Sequence, residues 1–355
     1  MDKITKLRNR PVFKWCLILA ALAGLIAVMV IAGRTIKYRA SGGIIIHNAF
    51  HGLTGRLIYL KGRWPQTAEG ELTLPPAAVW SYDLVTKEKV KLMDVKQAGE
   101  LVVSADGIWI GIIFDNGEIL VSSPAKGYTH TFKFSPAEGS ERNQAVIVNG
   151  RLCVKSGSRY FGGQRVDIIE LETQRSIQAE IPKTTESAEA GSQTLYMNSR
   201  MADTNHLFVI SSGLWPSDGG LYMCDLDTGA ATRIGSPIEF YDYSYAGDYV
   251  GWDQVLGGLA WAVKTYKATE GTGKSVDREH GREVCRFYGP DCYHLTQVSP
   301  CLRYALVGGS FITGNGMDSI YYLCDLKTGQ KKLFIDAKPS KVERGAFIGG
   351  IHWVK

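Results

Sequence analysis

The chain lacks the residue pairs that mark several common chemistries. No Cys-x-x-Cys occurs among its seven cysteines, which excludes a structural zinc site of the usual close ligand spacing. No Gly-x-Ser-x-Gly occurs either, so a hydrolase nucleophile elbow is excluded. A basic stripe with interleaved aromatics is missing as well. The 40 Lys and Arg against 35 Asp and Glu give a net charge of +5. Residues 1–40 hold eight of the basic residues and one acidic one, leaving 32 basic and 34 acidic over the rest, a net of −2. The basicity belongs to the N-terminal flank, and no nucleic-acid partner is expected.

Long hydrophobic runs are also absent, with one exception. Trp15 to Gly33 is nineteen residues without a charge. As a helix it extends about 28 Å at ~1.5 Å per residue, close to a hydrocarbon core of about 30 Å. Lys3, Lys6, Arg8, Arg10 and Lys14 precede it, against Arg34, Lys37 and Arg39 after it. That asymmetry predicts an N-terminus inside and the rest of the chain outside. The run is longer than a cleavable signal core, no Ala-x-Ala follows it, and Cys16 lies near its start, where it cannot serve as a lipid-anchored cysteine. The expectation is an uncleaved signal anchor: a cytoplasmic segment at 1–14, a transmembrane helix at 15–33, a linker at 34–55, and a periplasmic or extracellular domain at 56–355.

That domain writes one phrase repeatedly. Leu221-Tyr222-Met223-Cys224-Asp225-Leu226-Asp227-Thr228-Gly229 returns as Tyr321-Tyr322-Leu323-Cys324-Asp325-Leu326-Lys327-Thr328-Gly329. Each copy has a strand composition, a turn built on Asp and Gly, and a returning strand. Two weaker copies exist. Trp80-Ser81-Tyr82-Asp83-Leu84-Val85-Thr86-Lys87 has Lys where the Gly stood. Ile168-Ile169-Glu170-Leu171-Glu172-Thr173-Gln174 has Glu for Asp and Gln for Gly. Ser104-Ala105-Asp106-Gly107-Ile108-Trp109 and Ser299-Pro300-Cys301-Leu302-Arg303-Tyr304 are a second repeated phrase, a turn entering an apolar strand. Strand and turn units recurring at tens of residues predict propeller blades.

The two phrases together resemble the repeat of TolB-type β-propeller proteins, over roughly residues 55 to 355. The resemblance implies an all-β, six-bladed β-propeller behind the N-terminal transmembrane helix, and it implies little about chemistry. Hairpins ending near Met93, Phe134, Ile181, Ile234, Phe287 and Ile335 count six blades; the irregular fifth leaves five or seven open. Ala346 to Val354 is a strand without a hairpin partner, and the first blade is one strand short. Pairing them closes the ring and removes two open edges.

No catalytic residue and no cofactor is identified. Ala268 to Ser275 fits a relaxed phosphate-loop pattern, but the polar stretch after it carries no helical stripe, so no nucleotide is expected. His47 and His51 stand four apart, yet Gly42, Gly43 and Gly52 flank them against a stable helix, so no metal site is expected. Cys285 and Cys292 flank Gly289-Pro290-Asp291 and are the disulfide candidates, while Cys224 and Cys324 read as buried free thiols. Tyr241, Asp242, Tyr243 and Tyr245, with Trp252 close behind, are the binding-face candidates, because Tyr and Trp anchor partners at exposed faces. Two functions stay open. One is a membrane-tethered interaction or cell-envelope scaffold with a protein or envelope partner. The other is an extracytoplasmic glycan-active hydrolase or lyase, with carboxylates gathered at the channel.

Overall fold

The computed structural model describes residues 19, 22–24, 29, 44–63, 76–134, 144–156, 164–181, 194–198, 205–212, 220–235, 242–243, 248–255, 260–267, 281–288, 293–301, 303–313, 316–337 and 346–355. The chain divides into two compact units, Met1–Ile46 and His47–Lys355. In the first, Leu19, Leu22, Ala23, Gly24 and Met29 are helical, and a two-residue strand β1 (Ile45–Ile46) ends the unit. Among the described residues no helix is long and apolar enough to cross a membrane. Most of the 15–33 run lies outside them.

The second unit is built almost wholly of strands, and its described strands form six four-stranded antiparallel sheets. The first contains β25 (Ala346–Val354), β2 (Arg56–Arg63), β3 (Ala77–Asp83) and β4 (Lys89–Val95) in that order. The second is β5 (Glu100–Val103), β6 (Ile110–Ile113), β7 (Glu118–Ser123) and β8 (Tyr128–Lys133). The third is β9 (Ala145–Val148), β10 (Arg151–Ser156), β11 (Gln164–Glu170) and β12 (Ser176–Ile181). The fourth is β13 (Thr194–Asn198), β14 (His206–Ser212), β15 (Gly220–Asp225) and β16 (Ala231–Gly235). The fifth is β17 (Asp242–Tyr243), β18 (Asp248–Val255), β19 (Ala260–Lys267) and β20 (Arg282–Tyr288). The sixth is β21 (Tyr293–Val298), β22 (Tyr304–Thr313), β23 (Gly316–Asp325) and β24 (Lys331–Ala337). Each sheet runs up and down in chain order, except that the last strand of the chain opens the first sheet.

First strands of successive sheets adjoin: β25 meets β5, β5 meets β9, β9 meets β13, β17 meets β21, and β21 returns to β25. This is the layout of a β-propeller. The fifth sheet, irregular in sequence, is a sheet like the others.

Ring closure follows the expected pairing. β25 runs antiparallel to β2, with Leu57 opposite Trp353 and Tyr59 opposite Ile351. A bulge at Tyr59 and Leu60 is matched by Gly350, whose φ of 55° a side chain rarely adopts. Ile351 and Trp353 are each 2% exposed; the side chain of Phe347 lies outside the described residues.

Among the described residues the core is divided into several clusters. Apolar residues gather in the seams between sheets: Ile58, Leu60, Val79, Leu101 and Ile112 between the first and second, and Trp109, Ile119, Ile147 and Leu152 between the second and third. Strands near the centre are covered on both faces, so β6 (IGII) is buried throughout. Outer strands meet water on one side, so β8 (YTHTFK) alternates half-buried with exposed. The period of each strand thus records its distance from the centre.

Candidate functional site

The repeated phrase takes up the same local geometry at each of its copies. Asp83 Oδ1 accepts the backbone N–H groups of Val85 and Thr86 at 2.8 and 2.7 Å. Asp225 Oδ1 does so for Asp227 and Thr228 at 2.9 and 2.8 Å, and Asp325 Oδ1 for Lys327 and Thr328 at 2.9 and 3.2 Å. The backbone then closes in the same way four times. Lys87, Gln174, Gly229 and Gly329 donate to the carbonyls of Asp83, Glu170, Asp225 and Asp325 at 2.7–3.0 Å. All four donors have positive φ: 64° and 60° for Lys87 and Gln174, 74° for both glycines. The weak copies are therefore congruent with the strong ones, although they lack glycine.

The following leucine fixes each turn to its own sheet. Leu84, Leu171, Leu226 and Leu326 are buried, and their N–H groups donate to the carbonyls of Gly55, Gly150, Asn205 and Arg303 at 2.8–3.0 Å. Each acceptor stands just before the second strand of the same sheet. Repeating the phrase thus repeats a joint between the turn after the third strand and the start of the second, at one end of each sheet, which is why the chain writes it more than once.

The turns are also held across the seams, always by a base from the preceding sheet. Arg56 Nη2 donates to the Asp106 carbonyl at 3.4 Å. Lys126 pairs with Glu172, and Arg151 with Asp227. Arg282 Nη2 donates to the Leu326 carbonyl at 2.7 Å. Within the fourth sheet itself, Asn205 Nδ2 donates to the other oxygen of Asp227 at 2.7 Å. Sequence reasoning missed these bases. A signal existed: Gly55-Arg56-Leu57 and Gly150-Arg151-Leu152 repeat the start of the second strand.

The pKa directions agree with this use of the carboxylates. Amide donation, first from Thr86 and then from Val85, holds Asp83 below the usual carboxylate range. Asp225 is lowered chiefly by the Thr228 N–H and hydroxyl. For Asp325 burial acts upward, but the Arg303 guanidinium at 3.0 Å and the amides of Lys327 and Thr328 outweigh it, and the net direction is down. Such groups are ionised acceptors with filled geometry, poorly suited to carry a proton in a reaction.

Of the aromatic binding-face candidates, Asp242 and Tyr243 form β17, the first strand of the fifth sheet, opposite Val250 and Tyr249 of β18. Trp252 lies further along β18, opposite Val263. The backbone therefore brings Asp242, Tyr243 and Trp252 onto neighbouring strands of one sheet. Tyr241 and Tyr245 lie outside the described residues, as does the phosphate-loop-like stretch 268–275. His47 and His51 sit in irregular chain rather than a helix, and among the described residues no cluster of three or more His, Cys, Asp or Glu is placed to hold a metal.

Two cysteine expectations need correction. Cys285 is bonded to Cys324, not to Cys292, which lies outside the described residues. Cys324 is accordingly no free thiol, while Cys224 is free and buried as expected. The reason is the seam: Cys285 on β20 and Cys324 on β23 belong to one apolar cluster between the fifth and sixth sheets. Proximity across a seam outranks proximity along the chain.

No family model matches the chain, and no curated protein matches it. Solved structures resemble it in outline. TolB from Acinetobacter baumannii is 12% identical with a TM-score of 0.46, over 90% of this chain and 70% of that one. Dipeptidyl peptidase 4 from Porphyromonas gingivalis is 11% identical with a TM-score of 0.42, over 78% of this chain and 44% of that one. An oligogalacturonate lyase in complex with manganese is 13% identical with a TM-score of 0.40, over 81% of this chain and 83% of that one. The propeller layout stands on the strand pairing alone.

Proposed function

We propose that the protein is a membrane-tethered extracytoplasmic propeller serving as a rigid interaction scaffold for a protein or cell-envelope partner. The observation that carries this reading is how the acidic side chains are employed. Asp83, Asp225 and Asp325 are acceptors inside turns, and Glu172 and Asp227 clasp neighbouring sheets. What this end of the molecule offers is shape held in place by paired charges. The uncharged run 15–33, with Leu19, Leu22 and Met29 all more than half exposed, supports a tether. The Cys285–Cys324 bond supports an oxidising compartment. Tyr241, Asp242, Tyr243, Tyr245 and Trp252 are the surface assigned to the partner.

In-cell crosslinking followed by capture of the tethered protein tests the scaffold. A partner whose yield falls with Tyr243→Ala but barely with Asp242→Asn is expected. A chain in which Asp242→Asn leaves binding intact while abolishing turnover of a glycan would establish the enzymatic reading instead. A reporter active only in the cytoplasm, fused after Lys355, should be silent; a bright fusion overturns the topology.

A further inference from the structure

The seam where the ring closes is crossed by a stretch of chain that belongs to no sheet. His47 N–H donates to the Phe334 carbonyl on β24 at 2.7 Å. The Phe50 ring lies 5.1 Å from that of Tyr304 at the start of β22, with Lys332 Nζ 4.7 Å over it. Ala49 and Leu53 are buried. Thr54 accepts the indole N–H of Trp353 on β25 at 2.9 Å. Trp353 in turn stacks with Tyr304 at 6.3 Å and with Phe334 at 6.0 Å. The segment therefore touches the sixth sheet with its first half and the first sheet with its last residue, and its Phe50 ring extends the Tyr304–Trp353 stack that both sheets share.

We propose that His47–Thr54 is a detachable latch that governs opening of the ring between the sixth and first sheets. Three features make it separable from the sheets it joins. It is irregular, so unseating it breaks few backbone bonds. Its seams are made largely by side chains, Phe50 above all. And β25 stays paired to β2 whether the latch is seated or not, because that ladder lies wholly on one side of the seam. Segments held in this way open at lower free energy than the sheets around them. Unseating Phe50 uncovers the Tyr304 ring that stacks on Trp353, while Gln297 still ties β21 to β25. The latch rests on contacts within the propeller and is independent of whether the N-terminal run spans a membrane.

Amide hydrogen exchange on the full chain in detergent micelles tests this, comparing the parent with Phe50→Ala and Phe50→Leu. With Phe50→Ala, the peptides covering 293–298 and 346–354 should exchange about ten-fold faster, as expected for a local opening. Those covering 151–156 and 164–170, in the third sheet, should be unchanged, and Phe50→Leu should restore most of the protection. Unaltered exchange at 346–354 overturns the latch. So does an acceleration of equal size in every sheet, since that reports loss of global stability rather than release of one seam.

Discussion

Gln297 is the residue on which closure of the ring can be tested most sharply. It is 3% exposed and lies just past a bulge in β21. Its Nε2 donates to the Trp353 carbonyl at 2.6 Å, and its Oε1 accepts the Trp353 N–H at 2.7 Å. A primary amide carries a donor and an acceptor in one plane, as a peptide group does, so this side chain acts as one residue of a strand that the seam does not have. Gln297→Leu keeps the volume roughly and removes both partners. Two buried backbone groups of Trp353 then go unsatisfied, at about 1–3 kcal/mol each. The loss of ~2–6 kcal/mol is a large share of a domain's ~5–15 kcal/mol. At roughly 2 °C per kcal/mol for a domain of this size, thermal unfolding should come about 4–12 °C earlier. Gln297→Glu keeps the acceptor but sets a carboxylate against the Trp353 carbonyl. It should be poor at neutral pH and recover as acid protonates the carboxyl, which burial and the facing oxygen hold above its usual range. An unchanged melting temperature for Gln297→Leu would refute the claim that this side chain closes the ring.

Three further outcomes are expected. Gly229→Ala and Gly329→Ala should each destabilise by more than 1 kcal/mol, since a Cβ would meet the Gln178 and Val284 carbonyl oxygens at 2.5 and 2.6 Å as well as a positive φ; Lys87→Gly should be neutral or stabilising by up to about 1 kcal/mol, read from denaturant midpoints. Ala179→Cys should form a disulfide with Cys224 under air, because Gln178–Ala179 faces Gly229 and Cys224 as Val284–Cys285 faces Gly329 and Cys324; a peptide map with both thiols still alkylatable refutes the equivalence. Arg303→Gln should flatten the acid limb of stability against pH. Asp325 has a lowered folded pKa, so its contribution is present above the ordinary carboxylate range and lost as pH falls through it toward the lowered value; an acid limb identical to the parent's refutes that role.

Much of the fold was legible because its signals are local. Asp, Thr and Gly at fixed offsets write the turn, and the apolar runs on either side write the strands, so six hairpin ends fall where the repeats put them. The pairing of β25 with β2 was legible for another reason: both were strands with an edge left over. What stayed hidden belongs to the seams. Arg151 meets Asp227 from 76 residues away, and Gln297 meets Trp353 from 56. No period marks such contacts, because each seam is filled once. The disulfide expectation failed on the same ground. A turn between Cys285 and Cys292 is visible in the sequence, whereas Cys324 comes within reach only after the fifth and sixth sheets are docked.

Seams also explain why the two buried cysteines of the third junction differ from the pair at the fifth. Cys153 and Cys224 share one cluster and are wholly buried, and desolvation pushes both thiols up to about 12. At that value the thiolate is scarce at neutral pH, and it is the thiolate that attacks a disulfide. Cys153 stands on the second strand of its sheet, whereas Cys285 stands on the fourth, beside the residue that meets the turn glycine of the next sheet. One cysteine position in the repeated phrase therefore yields a cross-link or an inert apolar side chain, depending only on which strand of the neighbouring sheet supplies the second sulfur. The repeat fixes where Cys224 and Cys324 sit; the neighbouring sheet decides what each of them does.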